Sequence, residues 1–234
     1  MRALRRTRAS GGAVVFQREA NAAYEVITAP SVEPVSVEDV KARLGFDLED
    51  GPFDTMLSDL IVSARQYCEE QTGLALITQT LAVYWDRFPF RHSEWWDGVR
   101  QMAASELSRK PGALVLPKYP AQSVTSVKVF DTQDAETTVD ASVYQADTVT
   151  TPPRLVLREG QTWPSTSLRT ANGVRVEYVA GYGATAATVP QPLRGAIGSH
   201  AAYMFEHRGA CDMTAAAQMS GAVSLWRPYR IARI

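Results

Sequence analysis

Residues 53–88, FDTMLSDLIVSARQYCEEQTG followed by LALITQTLAVYWDRF, contain the change of period that decides the fold class. In the first part Phe53, Met56, Leu57, Leu60, Ile61, Ala64, Tyr67 and Cys68 recur at three- and four-residue intervals, the pattern of a helix with one apolar face. Asp59, Ser63, Arg65, Glu69 and Glu70 fall on the other face, where solvent is expected, and Gly73 supplies the stop. On this reading an Asp at Leu60 buries an unpaired carboxylate and costs on the order of several kcal/mol. From Leu76 to Phe88 the apolar period drops to two and Thr, Val, Tyr and Trp accumulate, which predicts a long strand.

Towards the N-terminus, Ser36 and Asp39 have the spacing of a capping box, Val37, Val40 and Leu44 share a helical face, and Gly45 is placed to end the turn. A short helix over 36–45 therefore precedes the long one over 53–72. Towards the C-terminus, Val124–Phe130, Val143–Ala146, Arg154–Arg158 and Val174–Ala180 read as short strands between Asp-, Thr- and Pro-rich turns, and Pro152 and Pro153 argue against a central strand there. Together with the first strand and the short run Ala113–Leu116 they predict a mainly antiparallel sheet of about five or six strands.

Pro190 and Pro192 then open a third helix over 190–208, with Leu193, Ala196, Ile197, His200, Ala201, Met204 and Phe205 on its apolar stripe. Gly195, Gly198 and Ala202 form a small-residue side that a second helix can approach closely. The fold class is thus α+β: a small helical core interrupted by a β insertion at about 76–181. The expected organisation is a basic arm over 1–32, a body over 33–209, and a hinge and tail over 210–234.

The polar stretch Pro89–Gly112 is long for a connection and contains Trp95, Trp96, Asp97 and Arg100. Its two Trp rings either cap the sheet or contact a subunit or tail partner. The first thirty residues carry clustered Arg, which fits an arm that meets phosphates, a targeting peptide or an upstream start codon.

The formal net charge is −1, but between Asn21 and Trp226 twenty-four acids face sixteen bases, so that body carries −8. Basic ends on an acidic body point to segments that contact something else. The tail Ser224–Ile234, SLWRPYRIARI, combines Trp226 and Tyr229 with three Arg and no acid, the composition of a binding hot spot. Pro228 argues against a regular helix through it. It reads either as a strap packed on its own domain or as a tail that docks into a partner.

With 234 residues, 45% of them apolar, the chain can bury a sizeable core, and no apolar run is long enough to span a bilayer. Cys68 and Cys211 are the only cysteines, which argues against a disulfide framework. His92, His200 and His207 have no metal-ligand spacing with them, so no zinc site is expected. Cys68 and His200 read as core residues. No nucleophile elbow, phosphate-binding loop or zinc-protease motif is present, and Gly181-Tyr182-Gly183 lacks the third glycine of a dinucleotide fingerprint. No catalytic residues, metal or cofactor are therefore expected.

In order along the chain, PVSVEDVKARLG (34–45), EEQTGLALITQT (69–80), WWDGVRQ (95–101), LPKYPAQSVTSVKVFD (116–131), VEYVAGYG (176–183), VPQPLRGAI (189–197) and PYRIARI (228–234) resemble the head-tail connector, or adaptor, family of long-tailed bacteriophages and gene transfer agents. The resemblance spans roughly residues 33–234 and leaves out the Arg-rich start. It implies a structural virion protein at the head-tail interface, made in the host bacterial cytoplasm. Such a protein forms a homo-oligomeric ring, commonly twelve-fold, that joins the portal protein to a stopper or tail-completion protein. DNA passes through the ring without sequence-specific binding. The resemblance also implies that the C-terminal segment reaches the portal, which makes Leu225, Trp226, Arg227, Pro228, Tyr229, Arg230, Ile231 and Ile234 the expected docking residues. With no active site for the body to serve, docking is favoured over the strap. The alternative from another class is a DNA-binding regulator that uses the basic N-terminal arm, against which the acidic body argues.

Overall fold

The computed structural model describes residues 22–47, 51–89, 113–208 and 212–230. Its first helix, α1 (Val37–Leu44), begins with the capping box: Ser36 Oγ accepts from the Asp39 amide at 3.1 Å and an Asp39 carboxylate oxygen accepts from the Ser36 amide at 3.2 Å. Helix α2 (Asp54–Thr72) runs to Gly73, whose positive φ of 80° ends it. A Cβ at Gly73 would lie 3.1 Å from the Tyr119 ring, so the stop is also a point of close packing. Helix α3 (Gln191–Glu206) packs across α2 and α1. Leu57, Ile61, Ala64 and Cys68 of α2 meet Leu193, Ala196, Ile197, Ala201 and Phe205 of α3 in one apolar core. Burial pushes the Cys68 thiol up to about 12, so it stays a packed thiol.

Eight strands are present among the described residues: β1 (Ala22–Thr28), β2 (Gln79–Trp85), β3 (Leu114–Val115), β4 (Ala121–Phe130), β5 (Glu136–Thr138), β6 (Tyr144–Asp147), β7 (Arg154–Leu157) and β8 (Val174–Ala180). They form not one sheet but two, both antiparallel, with orders β1-β2-β8-β4-β5 and β3-β7-β6. Period-two patterning aims Leu81, Val83 and Trp85 of β2 and Val174, Val176 and Tyr178 of β8 into a second core, where they meet Leu114, Leu155 and Tyr144 of the smaller sheet.

The structure shows the α+β class and the three expected helices, and it corrects several details. The long strand expected over 76–88 is confined to 79–85, because Leu74 and Ile77 sit in isolated bridges to Tyr119 and Gly183 as the chain crosses between the two cores. Residues 22–28, expected in the N-terminal arm, are an edge strand paired with β2. Residues 213–219 and 222–226, expected in a hinge, are helices α4 (Met213–Met219) and α5 (Ala222–Trp226). On α2, Phe53 and Met56 remain exposed and Leu60 is half-buried, so the steep cost assigned to Leu60 belongs to Leu57 and Ile61, exposed to only 0% and 1%.

The supposed solvent face of α2 is also partly interior. Arg65 and Glu69 are buried, because the segment before α1 and the start of the sheets close over them. Arg65 Nε donates to Glu33 at 2.7 Å and its Nη1 to Glu69 at 3.0 Å. The other Glu69 oxygen accepts from the Leu76 amide at 2.9 Å and from Gln79 at 3.2 Å. Lys118, also buried, donates through Nζ to the Glu69 carbonyl at 2.8 Å. Burial raises the Glu69 carboxyl and lowers the Lys118 amine; Arg65 pairs with both Glu33 and Glu69, and the Glu69 charge near Lys118 opposes the lowering. Glu70 is exposed, as expected.

Candidate functional site

The C-terminal segment is built from the hinge outwards. Asp212 caps α4, its Oδ1 accepting from the Ala215 amide at 2.6 Å. Ala216, Ala217 and Ala222 are fully buried, small enough to let α4 and α5 lie close on the body. Gly221, at φ 75°, makes the left-handed turn between the two short helices. Helix α5 carries the chain through Trp226, and Arg227–Tyr229 tighten into a 3-10 turn at Pro228. The proline thus limits the helix at Trp226: Ser224–Trp226 are helical, but no regular helix continues through Arg227–Arg230, as Pro228 leads one to expect.

Trp226 is 3% exposed. Its ring lies 5.9 Å from that of Tyr67 and 6.1 Å from that of His200, and those two rings are 5.5 Å apart. His200 contacts the Met213 carbonyl through Nε2 at 3.2 Å, which assigns the proton to that nitrogen and leaves Nδ1 buried without a partner. Burial holds the imidazole below its ordinary value, so it packs in neutral form, as the sequence reading of a core histidine requires. The Tyr67 hydroxyl reaches Thr214 Oγ1 at 3.3 Å, and the Tyr119 hydroxyl donates at 2.6 Å to the Thr72 carbonyl and lies 3.3 Å from the Tyr229 carbonyl.

Trp226 is therefore an anchor of the segment in its own body. Leu225, Arg227, Pro228 and Arg230 are exposed, Tyr229 is half-buried, and Ile231 and Ile234 lie outside the described residues. Trp95, Trp96, Asp97 and Arg100 also lie outside them. The small-residue side of α3 is approached closely by other helices, as expected: a Cβ at Gly198 would meet Arg43 of α1 at 2.8 Å, and one at Gly195 would come to 4.0 Å from Leu225 of α5.

A cleft of about 530 Å³ opens at the far end of the sheets, where Trp163 stacks on Phe88 at 4.4 Å beside Leu157 and Leu168. Arg87 is the charged residue of its lining. Among the described residues no group of His, Cys, Asp and Glu has the geometry to hold a metal ion, and no helix is long and apolar enough to cross a membrane.

With this geometry in hand, the chain overlays a chain from the neck of an empty gene transfer agent particle computed with C6 symmetry, with a TM-score of 0.67 and 21% identity, over 91% of this chain and 97% of that one. It shares that chain's fold. A chain from the virion of a native gene transfer agent particle matches with a TM-score of 0.65 and 22% identity, over 90% and 96% of the two chains. One from the neck of a native particle computed with C12 symmetry matches with a TM-score of 0.63 and 22% identity, over 91% and 97%. No family model and no curated protein matches the sequence.

Proposed function

We propose that the protein is a structural component of the neck of a tailed bacteriophage or gene transfer agent: a head-tail adaptor that forms a ring between portal and stopper. The observation that carries this reading is the overlay on neck chains along nearly their whole length, which agrees with the adaptor-like order of sequence landmarks. The symmetries of those particles support a cyclic assembly, with twelve copies as the proposed number. The protein acts by assembly, without catalysis or a cofactor. Its acidic body suits a channel that passes DNA without retaining it, since like charge discourages phosphate binding.

In this reading the C-terminal segment has two parts. Trp226 roots it in the helical core, and the residues beyond, led by Arg227, Pro228, Tyr229 and Arg230 and continuing through Ile231 to Ile234, reach the portal with Leu225 beside them. Removal of 224–234 takes away a core residue as well as the contact surface, so the informative truncation falls after Trp226. Deleting 227–234 is expected to leave a folded body that no longer co-sediments with portal rings. Undiminished co-sedimentation of that truncation would overturn the docking assignment. Tight, salt-sensitive duplex binding by the isolated full chain, without portal binding, would instead favour the regulator.

A further inference from the structure

Among the described residues the larger sheet ends in two unpaired edges that complement each other. On one side, β1 pairs only with β2 among the described residues, which leave its outer edge uncovered from Ala22 to Thr28. Tyr24, Val26 and Ile27 are 47%, 45% and 43% exposed, and the strand contains no Lys or Pro. Free edges in stable proteins are ordinarily kept short, charged or interrupted by proline, because an open row of amides and carbonyls invites a further strand. On the other side, β5 pairs with Lys128–Phe130 of β4, and the first half of that strand, Ala121–Ser126, has no outer neighbour among the described residues. That half is uncharged, and Gln122, Ser123 and Thr125 are exposed.

Strand polarity makes these edges compatible. Every neighbour in the order β1-β2-β8-β4-β5 is antiparallel, so β1 and β5 run in one direction and β4 in the other. The β1 of a second copy added in the same orientation would lie antiparallel to β4, end to end with β5. Seven residues are offered to six, and hydrogen-bond donors and acceptors alternate on both edges. Both strands are bulged, β1 between Val26 and Thr28 and β4 around Gln122 and Thr125. A bulged edge resists an ordinary flat strand, which limits the pairing to a partner of matching twist.

We propose that copies of this chain join head to tail by strand addition, β1 of one copy pairing with the free first half of β4 of the next. The contact uses two different surfaces of the same chain, as cyclic closure demands. It covers the exposed Tyr24, Val26 and Ile27 and supplies the subunit contact of the ring proposed above, on which reading its biological setting rests.

The test uses two forms of the full chain that each carry one introduced cysteine, Glu25→Cys and Thr125→Cys, in a Cys211→Ser background whose remaining Cys68 is buried. They are mixed, assembled with and without portal rings, and treated with a short bismaleimide. Mixed-pair cross-links should exceed those from either form alone, and site-resolved hydrogen exchange should show new protection at both 22–28 and 121–126 on assembly. Cross-links between two Glu25→Cys chains, no cross-links, or protection of only one edge would overturn the proposal. Val26→Lys should weaken self-association roughly tenfold or more while leaving the monomer's melting temperature nearly unchanged. Portal binding without mixed cross-links would sink strand addition alone, and mixed cross-links without portal binding would sink the adaptor reading alone.

Discussion

At the C-terminal segment Trp226 is 3% exposed and wedged between Tyr67 and His200, whereas at the N-terminal strand Tyr24, Val26 and Ile27 keep 43–47% of their surface. Both regions lie in or beside stretches whose basic composition marks them as arms. One is rooted in a core by a single large aromatic, and the other lies on a sheet edge with its apolar side chains outward. Composition signals that a segment meets a partner, but burial determines which of its residues remain available to do so.

The largest effect is expected from Trp226→Ala, which empties a site shared by α2, α3 and α5 and should cost about 3–5 kcal/mol in denaturant unfolding. A loss near that of a surface substitution would erase the contrast between the two regions. Next comes Arg65→Met, which leaves the buried Glu69 and the half-exposed Glu33 without their guanidinium partner. A cost of about 3 kcal/mol is expected at neutral pH. Lys118 carries this cluster towards the N-terminal strand, its Nζ lying 5.7 Å from the Tyr24 ring centre.

A smaller effect is expected from pH. The folded state holds His200 below its ordinary value of 6.5, so the unfolded chain binds its proton first as pH falls. This contribution to stability is complete above 6.5 and is lost on acidification towards the lower folded value. Melting curves from pH 7 to pH 5 should therefore fall more steeply for the wild type than for His200→Gln, and parallel curves would show that the ring is not held neutral. Glu69, raised by burial, titrates in the opposite sense and is common to both proteins, so the difference isolates His200. The smallest effect belongs to Tyr24→Ala, expected to cost the monomer under about 1 kcal/mol in the same unfolding assay. A loss as large as that of Trp226→Ala would mean that β1 is as deeply integrated as α5.

Much of the architecture was legible because local chemistry and tertiary structure agree. The Ser36–Asp39 capping box, Gly73 at the end of α2, and the stripe Leu193, Ala196, Ile197 and Ala201 are short-range signals that need no partner to be read. The misreadings share a cause. Arg65 and Glu69 have the composition of a wet helix face, but that face is closed by Glu33, Leu76, Gln79 and Lys118, residues distant enough in sequence that periodicity on α2 carries no trace of them. The Ala-rich run before Trp226 resembles a hinge because small residues serve close helix packing and flexible linkers alike. Of the candidate docking residues, the sequence picked out the segment but not the inward turn of Trp226.

By itself, then, the sequence determined the α+β class, the three main helices, the capping box of α1 and the glycine stops of α1 and α2, and the concentration of Arg and aromatics in SLWRPYRIARI. Only the tertiary structure decided that the strands divide into two sheets, that a charged cluster lies inside, that Trp226 points inward and that β1 ends the larger sheet among the described residues. Helical periodicity and capping act over three or four residues and are written locally. Strand partnership and burial depend on residues brought together from across the chain, such as Glu69 with Lys118 and Tyr67 with Trp226, and are settled only when the two cores close.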